Sequence, residues 1–338
     1  MTKYTNKTGL SLPIAVWALM DNYNYDSRDN IISASTLLKP TRQIVLGRKY
    51  KDCDKEIEAS DLIASSMGTA LHDSVEKAWK NRDKTIGLLE SLNYLQAEKI
   101  YDDVVLEKRT EKEINGYIIS GQFDIAFNGH VCDIKSTSVW SYIFGSKEKD
   151  YINQMSIYRW LNQDIITEDK AYVEYIFTDW SQVKALQDSQ YPQARTHTLE
   201  VTLMSLEDTE KFIIDKLADI DKFMALPDKH LILCSDDELW RSEDSWKAYK
   251  PNAKTGKINY ARASKVFDNE KYAVAYQSLT KGTEVKLFKG EVKRCKYCNY
   301  TNICNQYSEM KLMGEVKWYT NQRLLKKNQI LRLTIWLN

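Results

Sequence analysis

The chain has 338 residues, 43% hydrophobic and 28% charged, with a formal net charge of +1. That length supports a sizeable apolar core without staples, and the near-zero charge excludes the overall basic field of a histone-like protein, so any nucleic-acid contact must come from a local patch. No run reaches the roughly eighteen apolar residues a membrane helix needs, and the apolar run near the amino terminus is too short for a signal peptide, so a soluble, cytoplasmic protein is expected.

In chain order, the first periodic segment is "ASDLIASSMGTALHDSVEKAWKNR", whose apolar residues recur at helical spacing and whose start Ser60 or Asp61 could cap. A second helix is expected near 86–99. Three strands follow, near 103–113, 117–127 and 130–137, then a helix near 148–163. "KAYVEYIFTD" (170–179) and "RTHTLEVTL" (195–203) alternate as strands, and a long amphipathic helix fits 205–226 with Ser205 as its cap. This order predicts a mixed α/β core over 60–226, preceded by a segment 1–59. From 227 to about 290 the chain reads as polar and irregular. The expected divisions after the core are a DNA-contact region with a cysteine cluster (227–310) and a basic tail (311–338).

Asn128-Gly129 lies between two alternating runs and predicts a two-residue hairpin, because both turn positions need positive φ. If Phe127 faces His130, cross-strand partners sum to 257. Asp124 then lies opposite Asp133 and Gln122 opposite Lys135, all on one face. Phe123, Ile125, Phe127, Cys132 and Ile134 fall on the other, an apolar stripe suited to a core. Directly opposed like charges are destabilising, and a divalent cation with a preference for hard oxygen ligands, magnesium or manganese, would neutralise them. Lys135 projects beside Asp133, where its ammonium can orient a water or neutralise a phosphate oxygen. Carboxylates, metal and lysine together suit phosphodiester hydrolysis.

"GQFDIAF" followed by "CDIKSTS" resembles motifs II and III of the PD-(D/E)XK nucleases, particularly the RecB-like exonuclease branch. "GTALHDSVEKAW" is similar to that branch's Gly-Thr-x-x-His helix, and "QMSIY" to its Gln-x-x-x-Tyr signature. The resemblance implies a restriction-endonuclease-like mixed central sheet flanked by helices. It implies metal ligation by His72, Asp124, Asp133 and the carbonyl of Ile134, with Lys135 as the catalytic lysine and Gln154 and Tyr158 positioning substrate. Gly68 and His72 are four apart and share a helix face, with the glycine allowing another backbone to approach. Gln154 and Tyr158 are likewise i, i+4.

Cys295, Cys298 and Cys304 form C-x2-C-x5-C, a spacing able to grip one metal centre. It resembles the carboxy-terminal part of the iron-sulfur staple in AddB-type and CRISPR-adaptation nucleases, yet Lys39-Pro40 stands where that staple's first cysteine-proline is expected. The fourth ligand must come from Cys53, Cys132 or Cys234. The hairpin register turns Cys132 into the core, and of the other two Cys53 sits in the charged loop "KDCDKE" whereas Cys234 ends the apolar run "LILC" just before a turn, which favours Cys234. Such a site would hold a [4Fe-4S] cluster or zinc and pin the carboxy-terminal segment in place.

Basic residues alternate with Tyr and Trp in "KPTRQIVLGRKYK", in "WKAYKPNAKTGKINYARASK" and in the tail, a mixture suited to phosphate contact and base stacking without base-edge readout. The resulting expectation is a Mg/Mn-dependent DNA exonuclease acting on single strands or duplex ends in replication, recombination or repair. A helicase or single-strand-binding protein is the expected partner. The alternatives are an RNA-directed enzyme and a non-catalytic nucleic-acid-binding subunit that uses the same fold as scaffold for a helicase or replication partner.

Overall fold

The structure, a computed structural model, describes residues 2–316 except 21–25, 27, 52–54, 145–146 and 253–254. Most of the expected basic tail and Cys53 therefore lie outside the described residues. The chain divides into two compact units, one of residues 1–39 with 52–221, the other of 40–51 with 222–338. No helix among the described residues is long and apolar enough to cross a membrane.

The first unit is the expected mixed α/β arrangement. Its main sheet has five strands, ordered Thr196–Thr202, Lys170–Phe177, His130–Thr137, Ile125–Phe127 and Val105–Leu106. The strands His130–Thr137 and Lys170–Phe177 run parallel, and their other neighbours in the sheet run antiparallel. A parallel step needs a crossover, supplied here by the helices Val139–Phe144 and Glu148–Leu161. The second of these buries Met155, Ile157, Tyr158, Trp160 and Leu161. Val131 to Ile134 are all buried, so the central strand is covered on both faces. A second sheet has three strands, Ile31–Ser33, Tyr117–Gln122 and Arg109–Ile114.

Two of the expected strands turn out to be pairs. The run near 103–113 breaks after Leu106, where Glu107 adopts a left-handed φ of 46°, and resumes in the other sheet. The run near 117–127 breaks at Phe123 and Asp124, without a left-handed residue, and also resumes in a different sheet. Alternation of side chains survives such a switch, so the pattern alone could not reveal it. Gln122 consequently pairs with Arg109 and not with Lys135. The helix expected near 86–99 is likewise two helices, Arg82–Ser91 and Ala97–Asp103, separated by left-handed Asn93 and Gln96. A 3-10 turn, Ala59–Leu62, precedes the helix Ile63–Trp79, so Ser60 and Asp61 do not cap it. Ser205 does cap the helix Leu206–Met224, accepting from Asp208 N at 3.0 Å.

In the second unit the stretch read as irregular contains a three-stranded antiparallel sheet, Lys265–Phe267, Ser245–Tyr249 and Glu284–Phe288, packed on the helix Glu270–Leu279. Strands of three to five residues interrupted by polar side chains carry too few periods to be seen in sequence. The helix Thr41–Lys49 begins directly after Pro40 and buries Thr41, Arg42, Ile44, Val45 and Leu46. Val45 and Leu46 pack with Phe223 and Leu231. A neighbouring cluster of Leu239, Val292, Tyr307, Met310 and Val316 carries Cys234, Cys295 and Cys304 at its margin.

Candidate metal centre

The hairpin forms as its sequence requires: Asn128 and Gly129 take φ of 49° and 75°. The pairs are Phe127 with His130, Ala126 with Val131 and Ile125 with Cys132. A Cβ on Gly129 would lie 2.3 Å from Thr167 Oγ1, so the glycine is needed for space as well as φ. The ladder stops at Ile125, one residue before the expected Asp124–Asp133 pair. Asp124 instead turns across the strand end, and its Oδ2 accepts from the backbone N–H of Ile134 at 2.8 Å.

That turn brings Asp124 to His72. The imidazole Nδ1 is 3.2 Å from Asp124 Oδ1 and Nε2 is 2.8 Å from the carbonyl oxygen of Ile134. Both ring nitrogens thus face acceptors, an arrangement an imidazolium satisfies and a metal ion can replace. The hydrogen bond to Asp124 raises the His72 pKa against the opposing effect of burial. Burial pushes Asp124 upward, but the hydrogen bond and charge of His72, with Lys135 and Ile134 N–H, outweigh it and hold the carboxyl below its ordinary value.

Glu107 completes the group. Ligand atoms of His72, Glu107 and Asp124 all lie within 4.8 Å of one another. Burial raises the Glu107 carboxyl above its usual range, partly offset by Gln122, whose Nε2 donates to Glu107 Oε2 at 2.5 Å. The Gln122 Oε1 accepts from Arg109 Nε at 3.2 Å. His72, Glu107, Arg109, Gln122 and Tyr158 line an open cleft of about 330 Å³. Sequence reasoning missed Glu107 and Arg109. Their only signal was a charged "EKR" inside an otherwise alternating run, and proximity depends on the kink that the sequence does not announce.

Asp133 lies outside that group of three. It is 2% exposed, and its Oδ2 is 2.5 Å from Lys135 Nζ. That oxygen is buried, with the Lys135 ammonium as its ion-pair contact. Burial drives the Asp133 carboxyl upward, Asp124 adds to this, and Lys135 opposes it. Gln154 donates to the Tyr158 hydroxyl at 2.7 Å, and burial raises the Tyr158 phenol. Tyr158 reaches the cleft, with Gln154 behind it. The expected role of Gly68 is overturned, since nothing lies within 4 Å of a Cβ placed there. Close approach occurs at Gly121, where a Cβ would meet Leu161 Cδ1 at 2.7 Å and the Tyr158 ring at 3.0 Å.

Cys234, Cys295, Cys298 and Cys304 line one small cavity of about 30 Å³. Cys295 and Cys298 bracket a tight turn, with Cys298 N donating to Cys295 O at 3.3 Å, and Cys304 stands at the start of the helix Asn305–Leu312. Gln306 clamps Cys234 by accepting from its N–H and donating to its carbonyl, each at 2.9 Å. Among the described residues no three of these sulfurs lie within 4.8 Å of one another. Burial pushes the thiols of Cys234 and Cys295 up to about 12 and about 11. Cys132 is buried in the sheet unit, and burial raises its thiol too.

No protein-family model and no curated protein matches the chain. Solved structures similar to it include SSO0001 (19% identity, TM-score 0.37, covering 57% of this chain and 78% of that one). Others are an alkaline exonuclease from Laribacter hongkongensis (13%, 0.34, 59% and 91%) and a phage-related exonuclease from Haemophilus somnus 129PT (16%, 0.27, 56% and 92%). Likenesses of this size carry no argument about activity.

Proposed function

We propose that the chain is a divalent-metal-dependent nuclease that hydrolyses phosphodiester bonds in DNA. The observation that carries this reading is the convergence of His72, Glu107 and Asp124 beside the buried Asp133 and its half-buried partner Lys135. Two carboxylates and one imidazole suit magnesium or manganese. Asp133, whose buried Oδ2 meets the Lys135 ammonium, and the Ile134 carbonyl are the next donors available. When bound, the metal lowers the pKa of a coordinated water and offsets the charge that builds on phosphate.

The chain's own groups do the rest. Lys135 holds its ammonium beside Asp133, where it orients the attacking water or neutralises a phosphate oxygen. Gln122 fixes Glu107 and Arg109 together, so the cleft presents a guanidinium for phosphate next to the ligand set. Tyr158, braced by Gln154, lines the same cleft. The RecB-like sequence motifs favour exonuclease action on single strands or ends. Partners that expose such strands, a helicase or a single-strand-binding protein, fit the same reading.

The small sheet of the second unit is the proposed DNA-contact surface. Lys247 and Lys286 are directly opposed on it, with Glu284 3.3 Å from the Lys286 ammonium. Lys247 lies 4.3 Å from the centre of the Phe288 ring and Lys286 3.6 Å from that of Tyr260. Lysines interleaved with rings suit a phosphate backbone and stacked bases. The cysteine site is read as structural, pinning the segment that ends in Asn305–Leu312. A zinc ion would set its thiolates about 3.8 Å apart given a 2.3 Å bond and tetrahedral geometry. The site would hold a [4Fe-4S] cluster or a zinc ion.

Digestion of labelled single- and double-stranded DNA, and of RNA, with Mg2+ or Mn2+ tests the enzyme assignment. Cleavage by the wild type that Asp124→Asn abolishes supports it. DNA binding without metal-dependent cleavage would favour the non-catalytic scaffold.

A further inference from the structure

Arg42 is 2% exposed, and its guanidinium is spent entirely on neutral groups. Nε donates to Cys304 Sγ at 3.2 Å, Nη1 to the carbonyl oxygens of Leu231 and Ile232 at 3.0 and 3.1 Å, and Nη2 to the side-chain oxygen of Asn305. None of these partners is a carboxylate. Asp228 feels the Arg42 charge but is held by Tyr50 and Lys49, and Glu238, on the same cavity, accepts from the Ser235 N–H. A guanidinium stays protonated in proteins. A buried charge whose direct partners are all neutral is poorly compensated, and an anion where the guanidinium points would stabilise it.

It points at the cysteine cavity. Four thiolates around a dipositive zinc ion or a dipositive [4Fe-4S] core leave two net negative charges whichever group is bound. We propose that Arg42 is the buried counter-cation of an anionic tetrathiolate metal centre formed by Cys234, Cys295, Cys298 and Cys304, to which it donates an N–H···S bond through Cys304. This rests on the reading of the four cysteines as a metal site. It adds a positioning residue that the cysteine spacing does not indicate. Arg42 ties the first helix of the unit to the centre, and with Asn305 and the 231–232 backbone on the same guanidinium, loading the site would order all three segments at once. Partners of this outer kind commonly alter metal affinity by about 10- to 100-fold.

The test uses the full chain purified anaerobically as wild type, Arg42→Met, Arg42→Gln and Arg42→Lys. Iron, sulfide and zinc per chain, the rate of metal loss to a chelator, and the Tm of loaded and stripped protein are measured. The expected result is metal loss about 10- to 100-fold faster in Arg42→Met and Arg42→Gln, largely restored in Arg42→Lys. The neutral variants should lower the Tm of the loaded protein and leave the stripped protein unchanged or more stable, because stripping leaves the wild-type charge uncompensated. Equal loss of Tm in both states, or wild-type metal retention in the neutral variants, overturns the assignment while leaving the metal site standing. A wild type without iron or zinc defeats the metal site and this inference with it.

Discussion

The backbone N–H of Glu107 donates to the carbonyl oxygen of Asp124 at 3.0 Å. Each residue sits where a strand leaves one sheet for the other, and this bond joins the two kinks. The left-handed φ of Glu107, uncommon for a residue with a side chain, is held by that joint. Two carboxylates from separate strands thereby reach one imidazole.

Glu107→Gln should keep the fold and lose the metal. The amide preserves shape and the contact with Gln122 but removes a charged ligand. Isothermal titration with Mn2+ should show affinity reduced by at least about 100-fold, beyond what an outer-sphere partner usually costs, and DNA cleavage should fall in parallel. Unchanged metal affinity would remove Glu107 from the ligand set.

Lys135→Ala separates binding from chemistry. Metal affinity should stay within a few-fold of wild type, while kcat falls by roughly 100- to 1000-fold, the usual loss when one preorganised electrostatic group is removed. Single-turnover cleavage at saturating Mn2+ measures this. A loss confined to KM would assign Lys135 to substrate binding alone.

Gly121→Val should destabilise the sheet unit by about 2 kcal/mol, the middle of the range for an overpacked core. Its side chain would enter space now held by Leu161 and the Tyr158 ring. Urea denaturation reports the stability, and cleavage should drop further than stability alone predicts, because Tyr158 is displaced from the cleft.

The double variant Lys247→Gln, Lys286→Gln should weaken binding of a single-stranded oligonucleotide at low salt. The slope of log affinity against log salt should shrink by about 1.4, two phosphate contacts on a single strand. Fluorescence anisotropy over a salt series tests this. An unaltered slope would place the DNA elsewhere.

The hydroxyl of Tyr50, and after it Lys49, holds the Asp228 carboxyl below its ordinary value. A folded pKa below the unfolded one gives stability that is complete above the unfolded value near 4 and vanishes as pH falls through the folded one. Asp228→Asn should therefore have a lower urea midpoint than wild type at pH 7, with the difference closing below about pH 4. A gap that persists at pH 2 to 3 would point to lost hydrogen bonding instead of lost charge.

Sequence made the hairpin legible because Asn128-Gly129 states both its turn type and its register. His72 and Asp124, which the structure brings together, were singled out by short motifs, and Cys234, which lines one cavity with Cys295, Cys298 and Cys304, by the apolar run it ends. Glu107, Arg109 and the true partner of Gln122 were hidden, since each depends on a strand changing sheets, and alternation of side chains continues unbroken across that change. Arg42 was hidden for another reason: a basic residue beside Pro40 and Thr41 reads as surface, and only its burial reveals it.

Because the acidic groups of the cleft stand at joints between sheets, their separation is governed by how the two sheets meet and not by any one loop. Lengthening the surface turns at 93–96 or 115–116 should leave the ligand geometry untouched. Altering the angle between the sheets, even through a distant core residue, would open or close the metal's cradle like a pair of calipers.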